Sequence, residues 1–197
     1  MIDISLPLDW NLITYPGDAR YEHYDYMTHE KNGVHITRVI METHSGTHID
    51  APYHAIPNGG KMSSIPLENL NGPVSVIEVA GDSVKASDIP EKIERRVIFK
   101  TKNSDLYGTF HEDFCYISAE AAQKLVQIGI DAVGIDYLSI EKFGTKGMNV
   151  HKIFMNRGVA IIEGLYLKDV HPGIYNLMCL PLKIDTDGAP CRAVLTR

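Results

Sequence analysis

One stretch decides how this chain is interpreted: His44-Ser45-Gly46-Thr47-His48-Ile49-Asp50-Ala51-Pro52-Tyr53-His54. It contains three of the nine histidines, where an even distribution would place about half a histidine. Imidazole nitrogens and carboxylate oxygens are the ligands that zinc, manganese and iron accept, so this density predicts a metal site. Hydrogen-bonded histidines in a turn-rich loop are the alternative, which would be favoured for a lone histidine.

The spacing of these polar residues carries geometric information. If the segment continues as a strand, its polar residues of even number project to one face, because successive side chains of a strand alternate. The glycine and the β-branched residues between them disfavour a helix. Pro52 interrupts a regular strand, so we expect His54 beyond a bend, in a role different from that of His44, His48 and Asp50.

Further ligands are expected from distant parts of the chain, and His151 and Glu163 are the candidates. Glu163 follows the apolar run 159–162, and a carboxylate that ends such a strand is costly to bury without a partner. Coordination of a cation would remove that cost. A salt bridge to lysine or arginine is the alternative for this residue.

The length and composition are typical of one globular unit. The chain has 197 residues, 44% of them hydrophobic, so we predict a single domain spanning 1–197. Its net charge of -6, without any run of lysine and arginine, does not provide the basic surface that binds nucleic acid or an anionic membrane without specific contacts. A small-molecule substrate is therefore expected, with no nucleic-acid and no membrane partner.

Location and redox state follow from two further features. No window reaches the roughly 18 to 20 uninterrupted apolar residues of a membrane span, and residues 1–5 lack the pattern of a signal peptide, which predicts a cytoplasmic protein. The cysteines Cys115, Cys179 and Cys191 are odd in number and far apart in sequence, so they predict neither a disulfide framework nor a C-x-x-C metal motif. We expect buried or idle thiols.

Secondary structure is predicted from hydrophobic periodicity and capping residues. A helix is predicted over 118–128, with Ser118 as N-cap and Gly129 as stop, and another over about 150–157, with Asn149 as N-cap and Gly158 as stop. A short third helix is predicted to begin at 87–90. Strands outnumber helices without alternating strictly with them, which favours a strand-rich, mixed-sheet α/β domain over a doubly wound parallel sheet. The predicted strands are 2–8, 36–42, 74–80, 97–101, 132–135, 159–162, 175–184 and 193–195.

The histidine-rich stretch resembles the signature of the cyclase family of metal-dependent hydrolases, whose best-known members are bacterial kynurenine formamidases. The family pattern H-x-G-T-H-x-D-x-P-x-H is matched at every fixed position. Shorter matches extend the likeness over most of the chain: Tyr15-Pro16-Gly17-Asp18, Gly134-Ile135-Asp136 with Ser139, His151, Glu163-Gly164-Leu165, and the segments 180–183 and 187–195.

The resemblance implies a fold, an assembly and a role for each site residue. The fold would be of the swivelling β/β/α type, and the chain would form homodimers or homotetramers with residues of a neighbouring subunit near the site. His54 would be the proton-transfer residue. The metal ligands would be His44 and His48 for one ion and His151 for a second, with Asp50 and Glu163 bridging or shared between them.

Two positions depart from the formamidases of this family. Tyr15 stands before the Pro-Gly-Asp triplet where those enzymes commonly carry tryptophan, and His151-Lys152 stands where they carry two histidines. If the aromatic ring at Tyr15 contacts an aryl group of the substrate, tyrosine offers a smaller face and an added hydroxyl. This chain is therefore expected to prefer a different substrate from those enzymes. His151, the histidine of the pair that is expected to bind metal, is retained.

The expected activity is hydrolysis of a small amide, either an aryl formamide such as N-formylkynurenine or a cyclic amide. A divalent cation lowers the pKa of a bound water from 15.7 toward about 7, which supplies hydroxide at neutral pH. His54 would then act as general acid and base, a task that suits an ordinary pKa near 6.5. We expect one or two ions, zinc first and manganese second, although these ligand types also accept iron.

Three alternatives stay open at the level of sequence. The first is a cyclase or dehydratase that acts on a small carbonyl compound. The second is a non-catalytic metal-binding protein that keeps the ligands without turnover. The third is a structural role for the histidines at an oligomer interface, with an aromatic contact surface formed by Tyr15, Tyr21, Tyr24 and Tyr26.

Overall fold

The computed structural model describes residues 1–197, and strands dominate it, which confirms the predicted mixed, strand-rich α/β architecture. Four α-helices form in chain order, α1 to α4: His29–Asn32, Leu67–Leu70, Ala119–Ile128 and Asn149–Met155. The strands β1 to β12 are Ile2–Asp3, Glu22–Met27, Ile36–Ile40, His48–Asp50, Asn71–Glu78, Ser83–Val84, Arg96–Lys100, Tyr116–Ile117, Ala132–Ile135, Ala160–Glu163, Gly173–Pro181 and Gly188–Thr196.

The main sheet closes on itself. Its order is β12-β11-β5-β7-β9-β10-β4, and β4 pairs in turn with β12, while β1 adds to β12 at an edge. The pairs from β5 to β10 are parallel, and the other pairs in the ring are antiparallel. Because β4 joins β10 to β12, the strand that carries His48 and Asp50 is the one that closes the ring.

Apolar side chains fill both faces of this sheet, which is why its parallel strands appear in sequence as continuous hydrophobic runs. In β7, Ile98 belongs to a cluster of 20 buried residues on one face, while its neighbours Val97 and Phe99 belong to a second cluster of 19. The second cluster includes Leu125 of α3 and Phe154 of α4. These two helices therefore cover one face of the sheet, and α4 is placed beside the ends of β9 and β10.

The ends of the two longer helices test the capping predictions. Ser118 caps α3, since its Oγ accepts the Ala121 N–H at 3.1 Å, and Gly129 ends the helix with a φ of 87°, as predicted. The prediction of Asn149 as the cap of α4 was wrong. Asn149 is the first helical residue, Met148 precedes it with a φ of 50°, and the Glu141 carboxylate accepts the Val150 N–H at 3.0 Å instead.

Several boundaries differ from the prediction. The first strand is only Ile2–Asp3, the last extends over Gly188–Thr196, and a short 3₁₀ turn, Ala86–Asp88, replaces the third predicted helix. Strand β2 was not predicted, because most of its side chains are exposed and so show no period. No helix in the structure has both the length and the apolar character that crossing a membrane requires.

The segment 22–40, which we call the outer hairpin, pairs only within itself. It consists of β2, α1 and β3, with Tyr24 opposite Arg38 and Glu22 opposite Ile40. Every residue of β3 is exposed. An isolated two-stranded hairpin is marginally stable in water, so an exposed one with apolar side chains calls for a partner surface.

Candidate metal centre

The register of β4 brings the first site residues together. His48 lies opposite Glu163 of β10, and Asp50 projects to the same face of β4 as His48. His48 Nε2 is 3.3 Å from Asp50 Oδ1 and 3.4 Å from Glu163 Oε2. The strand that closes the ring thus brings His48 and Asp50, two positions apart in sequence, together with the distant Glu163 in one compact cluster.

Helix α4 supplies the next side chain. His151 Nε2 lies 3.3 Å from Glu163 Oε1 and 3.6 Å from Asp50 Oδ2. The other ring nitrogen, Nδ1, is 3.0 Å from Glu141 Oε2. Glu141 therefore holds the Nδ1 proton of His151 and leaves Nε2 directed at the two carboxylates.

His44 lies in the turn before β4 and faces the same centre from the other side. Its Nδ1 is 3.0 Å from Asp50 Oδ1, and its Nε2 is 3.0 Å from Asp187 Oδ2. The ring packs against Gly188, where a Cβ would lie only 2.7 Å from His44 Cε1. A glycine at 188 is therefore required for the close approach of this imidazole.

His54 lies beyond the bend that Pro52 was expected to cause, in a short 3₁₀ turn over Pro52–His54. Its ring centroid is 4.1 Å from that of His44 and 6.0 Å from that of His151. Its Nδ1 is 3.7 Å from Asp187 Oδ2. Burial lowers the pKa of His54 below its ordinary value, so at neutral pH the ring is neutral and can accept a proton.

Two buried polar atoms at the middle of the cluster have no hydrogen-bond partner: His48 Nε2 and Asp50 Oδ2. Such atoms are rare in folded proteins, because each unsatisfied buried group costs about 1–3 kcal/mol. His48 Nδ1 already contacts the Gly46 carbonyl at 3.0 Å, which leaves Nε2 free to coordinate. A divalent cation would satisfy both orphan atoms, so the residues fit a metal ion.

The ligand atoms are also close enough for coordination. In each of three overlapping groups they lie within 4.8 Å of one another. The groups are His44 with His48 and Asp50, His54 with Asp50 and His151, and His44 with His54 and Asp187. The chemistry of this donor set, neutral imidazole and carboxylate, suits zinc, manganese or iron.

Without a cation, protons on the buried histidines supply the positive charge that balances the carboxylates. Burial disfavours a charged ring, yet the negative charges of Asp50 and Glu163, 3.3 and 3.4 Å from Nε2, outweigh it and raise the pKa of His48 well above its ordinary value. For His151, burial is likewise outweighed by hydrogen bonds to Glu141 and Glu163, which raise the pKa to about 10. Since metal ligation needs neutral imidazole, a bound cation must displace these protons.

A cavity of about 300 Å³ opens over the cluster, with Tyr15, Asp18 and Lys142 in its wall. The Tyr15 ring packs 5.4 Å from that of Phe110 and 5.9 Å from that of Phe143, which builds an aromatic wall beside the histidines. A wider cavity of about 1000 Å³ shares Tyr15 and Asp18 and continues toward the outer hairpin. The site is thus accessible to a small molecule that carries an aromatic or apolar group.

The structure brings together all the predicted site residues and adds two that were not predicted. Glu141 and Asp187 contact His151 and His44, respectively. Asp187 was predicted only as part of the segment 187–195 that resembles the family, with no role at the site, and Glu141 belongs to no motif, so the fold alone reveals both. The predicted residues that meet at this centre are His44, His48, Asp50, His54, His151 and Glu163, with Tyr15 in the cavity wall.

A closed mixed sheet with a buried histidine–carboxylate centre defines a class of α/β protein with a site for a divalent cation, the kind of centre that supports hydrolytic chemistry. Comparison with known proteins narrows this class. A family model described as putative cyclase matches residues 2–142. The chain belongs to the cyclase family of metal-dependent hydrolases.

Individual relatives cover nearly the whole chain. The kynurenine formamidase of Bacillus cytotoxicus is 32% identical over 98% of this chain and 96% of that protein. The kynurenine formamidase of Erythrobacter litoralis is 35% identical over 98% of this chain and 92% of that protein. A solved structure described as a potential metal-dependent hydrolase with cyclase activity is 36% identical, covers 98% of this chain and 95% of its own, and superposes with a TM-score of 0.86.

Proposed function

We propose that this chain hydrolyses a small amide, with an aryl formamide such as N-formylkynurenine as the first substrate to test and a cyclic amide as the second. One observation carries the proposal: the orphan atoms His48 Nε2 and Asp50 Oδ2 lie beside a neutral, half-buried His54 that faces a cavity. Ligands alone would serve a binding protein. A proton-accepting histidine next to them serves a reaction, and relatives named kynurenine formamidase support the substrate class.

The residues divide between two ligand positions. His44, His48 and Asp50 would hold one ion, while His151 and Glu163, with Asp50 shared, would hold a second. A bound divalent cation would lower the pKa of a water molecule and polarise the scissile carbonyl. Zinc is the first metal to test and manganese the second.

His54 would move the proton in this reaction. Because burial keeps its pKa below the ordinary value, the neutral ring can take a proton from the attacking water. It can then return that proton to the leaving nitrogen, which must be protonated to depart. Asp187, 3.7 Å from His54 Nδ1, would direct the ring and stabilise its protonated form.

The cavity wall would position the substrate. Tyr15 presents an aromatic face beside the histidines, supported from behind by Phe110 and Phe143. Such a wall suits the ring of an aryl amide. Lys142 at the same cavity offers a positive charge to a substrate carboxylate.

The test separates proton transfer from metal binding. His54→Ala should retain the metal content of the wild type but lose about 10²- to 10⁴-fold in kcat on N-formylkynurenine or a simple aryl formamide. His171→Ala, which replaces an exposed histidine away from the centre, is the control and should keep full activity. An unchanged kcat for His54→Ala on every amide that the wild type opens would refute the proposed role.

A second reaction class has direct support, because the family model is described as a putative cyclase and the solved relative as having cyclase activity. The same centre could close a ring or remove water from a small carbonyl compound. The two classes differ in mass balance, since the products of hydrolysis together weigh one water more than the substrate, whereas the product of dehydration weighs one water less. Mass spectrometry of the product therefore distinguishes them.

We also propose that the chain assembles as a homodimer or homotetramer through the outer hairpin. Its exposed apolar side chains include Tyr26, Ile36 and Val39, and its two strands pair only with each other. The wide cavity beside the site reaches Glu22 at the start of this hairpin. A second copy docked there would cover the apolar hairpin and border the substrate cavity.

A further inference from the structure

Two cysteines that are twelve positions apart in sequence meet in the sheet. Cys179 of β11 lies opposite Ala193, and Cys191 of β12 lies opposite Pro181, so both side chains project to the same face. Their Sγ atoms are 3.4 Å apart, and the Cys179 thiol donates to the Cys191 sulfur. Both are free thiols. The sulfur atoms would need to approach by about 1.4 Å to reach the 2.03–2.05 Å of a disulfide bond.

The two thiols differ in access. Cys179 is fully buried, whereas Cys191 is partly exposed and lines a surface cavity of about 360 Å³ together with Leu6, Pro7 and Thr47. A small oxidant can therefore reach Cys191 directly, and Cys179 lies behind it as the only thiol in contact. This is the arrangement of a reactive and a resolving cysteine.

The position of the pair connects it to the candidate metal centre. The segment between the two cysteines contains Asp187, which contacts His44. Cys191 also follows Pro190, the residue paired with His48, and its N–H donates to the Thr47 carbonyl at 2.9 Å. A disulfide between the two strands would close a loop that contains Asp187 and lies beside His48, two residues of the candidate metal centre.

We propose that Cys179 and Cys191 form a reversible dithiol site that hydrogen peroxide converts to an intramolecular disulfide. In the first step, Cys191–SH and hydrogen peroxide give the sulfenic acid Cys191–SOH and one water. In the second, the Cys179 sulfur attacks the Cys191 sulfur, the S–S bond forms, the S–O bond breaks, and the hydroxyl leaves with the Cys179 proton as a second water. The two sulfurs are oxidised and the peroxide oxygens are reduced, so the step balances without another reactant.

Cys115 provides an internal comparison. It is fully buried, and burial raises the pKa of its thiol to about 12, whereas Cys191, the thiol that meets the oxidant first, is partly exposed at a surface cavity. Its sulfur contacts the Tyr116 carbonyl, while the other two cysteines contact each other. We therefore expect peroxide to change the state of the other two cysteines and to leave Cys115 reduced.

The experiment counts thiols in the metal-loaded 197-residue chain. After peroxide treatment, the protein is denatured and alkylated with iodoacetamide, and its intact mass is measured by mass spectrometry. Three alkyl groups are expected on the reduced protein and one, on Cys115, after oxidation, with a peptide that links Cys179 to Cys191 and full reversal by dithiothreitol. Because the bond closes a short loop, the Tm of the oxidised protein should rise by about 5 °C.

Matched variants assign the bond. Cys115→Ser should still lose both remaining thiols on oxidation, whereas Cys179→Ser and Cys191→Ser should each prevent the linked peptide and the Tm shift. Three alkylated cysteines after oxidation would overturn the proposal. So would a Cys191 sulfinic acid beside an alkylated Cys179, or a disulfide that joins two chains. None of these readouts depends on amide hydrolysis, so this inference stands or falls separately from the proposed function.

Discussion

Glu141 fixes the orientation of His151 and illustrates how a residue outside the cluster shapes it. Its Oε2 is 3.0 Å from His151 Nδ1 and also accepts the Val150 N–H at 3.0 Å. In Glu141→Gln the amide N–H₂ would compete for the Nδ1 position and favour the tautomer whose Nε2 bears the proton. That tautomer cannot coordinate through Nε2, so affinity for zinc should fall by about 10- to 100-fold.

Chelator competition on the purified proteins measures this affinity. Glu120→Gln is the matched control, because Glu120 is an exposed acid in the first turn of α3 and should bind zinc like the wild type. Equal affinities for Glu141→Gln and the wild type would show that His151 is oriented by its burial alone.

Protons on the buried histidines predict how metal binding depends on pH. Carboxylate partners outweigh burial and raise the pKa of His151 to about 10, so below that pH the metal-free ring holds a proton that a cation must displace. Zinc binding at pH 8 should therefore release at least one proton per chain, and affinity should increase as pH rises from 6 to 9. Calorimetry in buffers of different ionisation enthalpy counts the protons. Binding without proton release, or with affinity that falls as pH rises, would contradict the assignment.

At the level of elements, the sequence predicted the structure where a local pattern exists. Ser118 and Gly129 delimit α3 as predicted, because capping depends on neighbouring residues. Strand β4 is only three residues long, too short to show a period, and its identity as the closing strand depends on pairing with both β10 and β12. Glu141 was not predicted for a related reason, since only tertiary packing brings its loop against α4.

Asp136, at the end of β9, joins this strand to the turn after β7. One of its carboxylate oxygens accepts from Thr101 Oγ1, and the other accepts from the Thr101 N–H and from Ser104 N and Oγ. Asp136→Asn would leave at least one of these buried donors without an acceptor. The free energy of unfolding should decrease by about 2–3 kcal/mol.

Urea denaturation measures this loss. Asp82→Asn is the control, because Asp82 is exposed where it pairs with Lys102 and such surface pairs contribute little to stability. A smaller loss at Asp136 than at Asp82 would mean that the turn finds other acceptors.

At the scale of the whole molecule, the closed sheet and the outer hairpin differ in how they are stabilised. The ring has apolar clusters on both faces, while the hairpin leaves Tyr24, Tyr26 and Ile40 each more than two-fifths exposed. Arg38 covers part of this surface, since its guanidinium carbon lies 4.3 Å from the centre of the Tyr26 ring. The remaining apolar surface of the hairpin is one part of the fold that a single chain leaves uncovered.

Assembly through this hairpin predicts a specific change of mass. The wild type should scatter light as two or four copies of the 22.0 kDa chain, and the triple variant Ile36→Thr/Val39→Thr/Ile40→Thr should shift toward a single copy. Threonine retains a high strand propensity, so the hairpin itself should persist while its apolar contact surface is lost. Ile174→Thr, at an exposed position of β11, is the control and should leave the mass unchanged.

A wild type that scatters as one chain, or a triple variant that stays multimeric, would rule out the hairpin as the assembly surface. If the variant also loses kcat while its zinc affinity is retained, the second copy borders the substrate cavity, as we propose from the extension of the wide cavity to Glu22.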